Sequence, residues 1–223
     1  MGSISQNLKA VLAEIPDGVR LVAVSKFHPA DALMEAYNAG QRLFGENHVQ
    51  ELQTKHDVLP KDIEWHFIGH LQTNKVKYIA PYVSMIEAVD SIRLLREIEK
   101  QAAKWDRVVD VLLELHVAEE PTKYGLTLEV CRELLEDGEW REMSHVRICG
   151  LMMMASYVED ENQIKSEMTL AADFFDEVKQ KFFPKEDSFC VRSWGMSHDF
   201  KIACQCGSTM VRVGTSIFGE RVY

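Results

Sequence analysis

Basic charge is scarce in this 223-residue sequence: 25 lysines and arginines stand against 35 aspartates and glutamates, for a formal net charge of −10. A face built for polyanions needs clustered Lys and Arg, so nucleic-acid binding is excluded as the main role, while a small anionic ligand in a local site is not. Long apolar runs are missing too, and no stretch approaches the roughly 18 residues a membrane helix needs. The segment Met1 to Ala13 lacks the basic region and apolar run of a secretion signal. Met1-Gly2-Ser3 with Gln6 does not complete a myristoylation pattern. The five cysteines, Cys131, Cys149, Cys190, Cys204 and Cys206, are few and odd in number, which fits a reducing cytoplasm better than a disulfide framework. Cys204-Gln-Cys206 is too tight for a zinc knuckle and has no second pair. There is no linker-like tract, low-complexity run or close repeat. The remainder, 46% apolar and 27% charged, predicts one soluble cytoplasmic domain large enough to bury a full core.

What is present is a rhythm. Short apolar runs alternate with stretches of helical periodicity, as in βα units with a parallel sheet. Strands are predicted at Leu21–Val24, Arg42–Gly45, Glu64–Gly69, Val83–Ala88, Val108–Val117, Val146–Leu151, Phe189–Trp194 and Thr209–Val213. A helix marked by Ile4, Leu8, Val11, Leu12 and Ile15 precedes the first. The longest helix places Ile164, Met168, Ala171, Phe175, Val178 and Phe182 on one face. Eight strands with intervening helices is the count of a (β/α)8 TIM barrel. The competing doubly wound sheet normally shows a glycine-rich turn after its first strand, and Val24-Ser25-Lys26-Phe27-His28-Pro29 has no glycine.

In a barrel, chemistry sits at the C-terminal strand ends. Those positions hold Lys26, Glu46-Asn47, His66, Gly69-His70, Glu87, His116, Lys123, Met152 to Met154, Trp194 to Ser197 and Arg212 to Thr215. A lysine at the mouth, its stem desolvated, is a carbonyl nucleophile able to form a Schiff base; position alone favours the blander reading, a surface lysine just past a strand. Ser197, then Gly214-Thr215-Ser216, supply small residues whose amides suit a phosphate, where barrels often bind one. The alternative is that Gly195, Gly214 and Gly219 only make tight turns. His66 and His70 are four apart but on a strand pattern with no glutamate between them, which argues against a zinc-protease helix. Met152 to Met154 read as core packing, though one of the three could cover a flat ring.

The motifs in combination go further. Ala23-Val24-Ser25-Lys26, Phe44-Gly45-Glu46-Asn47 with Gln50-Glu51, His66-Phe67-Ile68-Gly69-His70-Leu71-Gln72-Thr73-Asn74-Lys75, Gly150-Leu151-Met152, Met196-Ser197-His198-Asp199-Phe200 and Arg212 through Gly219 occur in order. Together they closely resemble the pyridoxal 5′-phosphate homeostasis proteins, the YggS/PROSC family, from about Leu21 to Tyr223. The resemblance implies a barrel like the N-terminal domain of alanine racemase. It implies that Lys26 forms an aldimine with pyridoxal 5′-phosphate (PLP) and that Asn47 lines the pocket near it. Ser197, Gly214 and Thr215 would hold the phosphate, Arg212 would face the pyridine nitrogen, and Met152 would lie beside the ring.

An arginine in that place cannot leave the ring nitrogen protonated, so the cofactor is a weak electron sink. The implied role is to bind, buffer and deliver PLP with little or no catalysis, with PLP-dependent apo-enzymes as the implied recipients; a monomer is expected. An amino-acid racemase is the alternative, set aside on length because 223 residues do not contain that enzyme's second domain. A metal-dependent hydrolase using His66, His70 and His116 is the third reading. One departure stands out: where many family members carry Ser-Lys-Ser-Gly after strand five, this chain has His116 to Gly125, keeping Lys123 and Gly125 among more acidic neighbours. That bears on cofactor transfer, not on binding.

Overall fold

A computed structural model describes residues 2–117 and 124–220. Eight parallel strands close in sequence order into a barrel: β1 (Arg20–Val24), β2 (Leu43–Glu46), β3 (Glu64–Phe67), β4 (Met85–Val89), β5 (Val109–Leu115), β6 (Val146–Met153), β7 (Val191–Ser193) and β8 (Met210–Val213). Closure sets β1 against β8, with Val22 opposite Arg212. The helices are α1 (Ile4–Glu14), α2 (Ala30–Asn38), α3 (Val49–Val58), α4 (Val76–Ile79), α5 (Ile92–Ala103), α6 (Leu128–Asp137), α7 (Glu161–Phe182), α8 (Phe200–Gln205) and α9 (Thr215–Phe218). The barrel reading holds.

Local sequence explains the boundaries. Ser3 and Gln6 form a reciprocal capping box that starts α1, and Asn7 Nδ2 donates to the Ile217 carbonyl at 3.0 Å, tying the first helix to the last. Asp160 caps α7, whose predicted stripe from Ile164 to Phe182 is its buried face. Gly138 ends α6 in the left-handed region at φ +78°. The segment after β3 opens as a 3-10 turn, Thr73–Lys75, running into α4. β7 is shorter than predicted, although Phe189 and Trp194 beside it are fully buried.

The core has two compartments. Most apolar side chains lie between sheet and helices. A second cluster, with Val22, Leu43, Met85, Leu112, Cys149, Met152 and Met210, fills the barrel interior, as expected of a barrel that is a packed core and not a pore. Its register depends on an irregularity: Val111 pairs with Ile148 but Leu112 with Gly150, so β6 carries one extra residue there. Only glycine fits at 150, because a Cβ would fall 1.8 Å from the Val191 carbonyl oxygen at φ +155°.

Candidate functional site at the barrel mouth

Above the apolar plug, the interior positions turn polar. His66 Nδ1 bonds Glu87 Oε1 at 2.6 Å, and Ser193 Oγ donates to Glu87 Oε2 at 2.6 Å. Arg212 Nη1 donates to the Ser193 carbonyl and hydroxyl at 2.6 and 2.5 Å, and Nη2 donates to the Met153 carbonyl at 2.8 Å. All four side chains are buried. Burial alone would push the Glu87 carboxyl up, but the His66 bond and the His66 and Arg212 charges hold it below the usual carboxylate range. Burial also lowers Arg212, against the opposing charges of Glu87, Asp199 and Glu114. Three of the guanidinium's five N–H donors are committed to these bonds, which leaves two uncommitted.

That space is a cavity of about 570 Å³, within the roughly 300–1,000 Å³ of small-molecule sites. Arg212 forms part of its floor, Val24, Ile68 and Met154 give apolar walls, and Lys26 and His28 enter from the loop after β1. Met196, Ser197 and His198 come from the loop after β7; Gly214, Thr215 and Ser216 follow β8. Ser197 Oγ accepts from the Gly214 amide at 3.1 Å, joining these two loops into one hydroxyl-bearing rim. The first amides of α9 have no partner within their own helix. Asp199 fixes the β7 loop by accepting from the Met196 amide at 2.5 Å. Glu167, on α7, bonds the Ser156 amide and hydroxyl, both at 2.7 Å, and so anchors the loop that presents Tyr157 to the cavity.

Lys26, Ser197, Arg212, Gly214 and Thr215 therefore converge, as the sequence reading expects. Two positions depart from it. Met152 is 1% exposed and lies in the apolar plug; Met154, two residues on and on the same face, lines the cavity instead. Asn47 is not among the lining residues: its Oδ1 is buried without a partner, and it abuts Gly69, where a Cβ would come within 2.7 Å of Asn47 Cβ. Glu46, a strand-end candidate, points behind the sheet to Lys55. The two candidate zinc histidines diverge, His66 to Glu87 and His70 to Asp90 at 3.2 Å. Lys123 lies outside the described residues. His28 and Tyr157 were not singled out by sequence, and His198 entered only within the Met196 to Phe200 motif, because no periodicity assigns a direction to these loop residues.

Glu114, on β5, is 3% exposed and its Oε2 has no hydrogen-bond partner. Burial, aided by the Asp90 charge and opposed by Arg212, pushes its carboxyl up to about 7.

Fold and site together define a (β/α)8 barrel with a small-molecule cavity at its C-terminal mouth, furnished among the described residues with the Lys26 amine, the Arg212 guanidinium and a rim of hydroxyls. Residues 1–222 match the family described as alanine racemase, N-terminal domain, and the chain belongs to that family. A pyridoxal phosphate homeostasis protein of Aquifex aeolicus is 40% identical over 205 residues, 92% of this chain and 88% of that one. Its namesake in Escherichia coli is 34% identical, with 100% and 99% covered. The structure of PipY from Synechococcus elongatus with PLP bound superposes with a TM-score of 0.88 at 34% identity, covering 97% of this chain and 100% of PipY. Alanine racemase from Streptomyces coelicolor, at 15% identity and a TM-score of 0.74, shares the fold; this chain covers 57% of it.

Proposed function

We propose that this protein binds PLP at the barrel mouth and serves its homeostasis in the cytoplasm, holding the cofactor and passing it to PLP-dependent apo-enzymes with little or no catalysis. The observation that carries this reading is the convergence of Lys26, Arg212 and the Ser197–Gly214–Thr215 rim in one cavity. The residues fit the group: a phosphate suits the rim of hydroxyls and helix-start amides, and an aldehyde suits a primary amine. When bound, PLP supplies that aldehyde, which condenses with an amine to form a C=N bond and release water. Relatives named for PLP homeostasis and the PLP-bound PipY structure support the same assignment.

Each residue has a task in this reading. Lys26 holds the aldehyde end. Ser197, Gly214 and Thr215 hold the phosphate, and Met154, in place of Met152, packs against the ring. Arg212 directs a donor at the ring nitrogen and keeps it unprotonated, so a carbanion next to the ring gains little stabilisation. The names of the relatives, homeostasis proteins and not enzymes, agree with a non-catalytic role. The reading takes the chain as one domain acting as a monomer.

The direct test mixes the purified protein with PLP, records the absorbance, reduces with borohydride and maps the adduct by mass spectrometry. A coloured protein with the adduct on Lys26, and none in Lys26→Ala, is the expected result. A colourless protein without a specific adduct would sink the reading.

A further inference from the structure

We propose that Lys55, with Glu46 and Glu51, is a positioning residue for Lys26, acting from behind the barrel wall. The proposal rests on the PLP reading above. Lys26 lies in a turn in which the His28 amide donates to the Ser25 carbonyl at 3.1 Å. Lys55 reaches from α3, 4% exposed, and its Nζ donates to that same Ser25 carbonyl at 2.7 Å. It also bonds Glu46 Oε1 at 2.6 Å and Glu51 Oε1 at 2.7 Å. Glu51 Oε1 in turn accepts from the Phe27 amide at 2.7 Å, and Ser25 Oγ donates to Glu46 Oε1 at 2.6 Å. The main chain is thus held on both sides of Lys26 by charge-assisted bonds, which are the strong kind.

The turn needs that hold. Phe27 adopts φ +67°, a left-handed conformation uncommon for a bulky residue and persisting only where its surroundings enforce it. Glu51 bonds the amide of that very residue. Burying a lysine with two carboxylates gives little net stability compared with an apolar filling, so its use lies in what it fixes. Here it fixes the direction from which the Lys26 side chain leaves the backbone. None of the three lines the cavity, so their effect on the ligand passes through the turn.

The test compares two probes on the whole protein. PLP requires the Lys26 amine; pyridoxine 5′-phosphate, which has the same ring and phosphate but no aldehyde, does not. Lys55→Met and Glu51→Ala are expected to slow formation of the borohydride-fixable Lys26 adduct by about tenfold or more, since misplacement by about 1 Å can cost about a hundredfold. Affinity for pyridoxine 5′-phosphate stays within about twofold, and Glu51→Gln, which keeps an acceptor for the Phe27 amide, recovers most of the rate. Adduct formation at the wild-type rate in both variants overturns the proposal. So does an equal loss of affinity for both probes, which marks a merely structural role. Wild-type protein that forms no Lys26 adduct fails the PLP reading itself, and that failure is distinct because it appears before any variant is made.

Discussion

Two buried charged clusters flank the barrel wall near the same ligand cavity, and they are assembled differently. The inner one joins His66, Glu87, Ser193 and Arg212 from four strands, with partners as far apart in sequence as Glu87 and Ser193. It exists only once the barrel has closed. The outer one joins Ser25, Glu46, Glu51 and Lys55 within a single stretch from β1 to α3. Its bonds need only two strands, one helix and the turn after β1. The inner cluster presents donors directly to the cavity, whereas the outer one presents only a backbone. Charge buried under a ligand and charge buried behind a loop therefore report on different properties, and substitutions can separate them.

The largest effect is expected from Arg212→Leu. It leaves Glu87 and Glu114 buried without the guanidinium beside them, and removing one partner of a buried pair costs about 3–5 kcal/mol. Urea unfolding should show that loss, and PLP retention should fall with it; full stability in the variant would break the distinction drawn above. Lys55→Met is expected to cost less, about 1–3 kcal/mol, because Glu46 keeps the Ser25 hydroxyl and can take up a proton. The same unfolding experiment ranks the two.

Glu114 sharpens the comparison through pH. Burial raises its folded pKa from the ordinary carboxylate value of 4.5 to about 7, so between those values the folded state holds a proton that the unfolded state has released. The stability linked to Glu114 is complete below the unfolded pKa and is lost as pH rises through about 7. Unfolding midpoints measured from about pH 5 to 8 should fall more steeply in the native sequence than in Glu114→Gln. Parallel slopes would refute the assignment. The smallest effect is expected from Ser197→Ala, which removes one acceptor for the Gly214 amide and one hydroxyl from the rim. A loss of about 1 kcal/mol in PLP affinity, or about fivefold, should appear in equilibrium dialysis with stability nearly unchanged.

The barrel was legible because its signals are periodic: apolar runs of strand length separated by helical stripes, with Ile164 to Phe182 marking a face that the structure buries. Lys26, Ser197, Arg212, Gly214 and Thr215 were legible because strand ends and the residues just past them define the mouth. Met152 and Met154 show where this reading stops. They share a face, so alternation cannot separate them; only depth in the barrel does, and depth depends on the extra residue between Ile148 and Gly150. Asn47 falls outside the cavity lining for a related reason, since a loop residue next to a strand end carries no parity. The Lys55 cluster was invisible because Glu51 and Lys55 look like ordinary charges on an amphipathic helix, and only the fold brings them to Glu46 and under the Lys26 turn.

The apolar plug has a consequence for traffic. With Val22, Leu43, Met85, Leu112, Cys149, Met152 and Met210 filling the barrel below it, the cavity does not run through the barrel. Arrival and departure therefore both use the mouth side of the barrel. A recipient would have to meet the cargo on that side or collect it from the surrounding water, because the packed interior closes the route through the barrel.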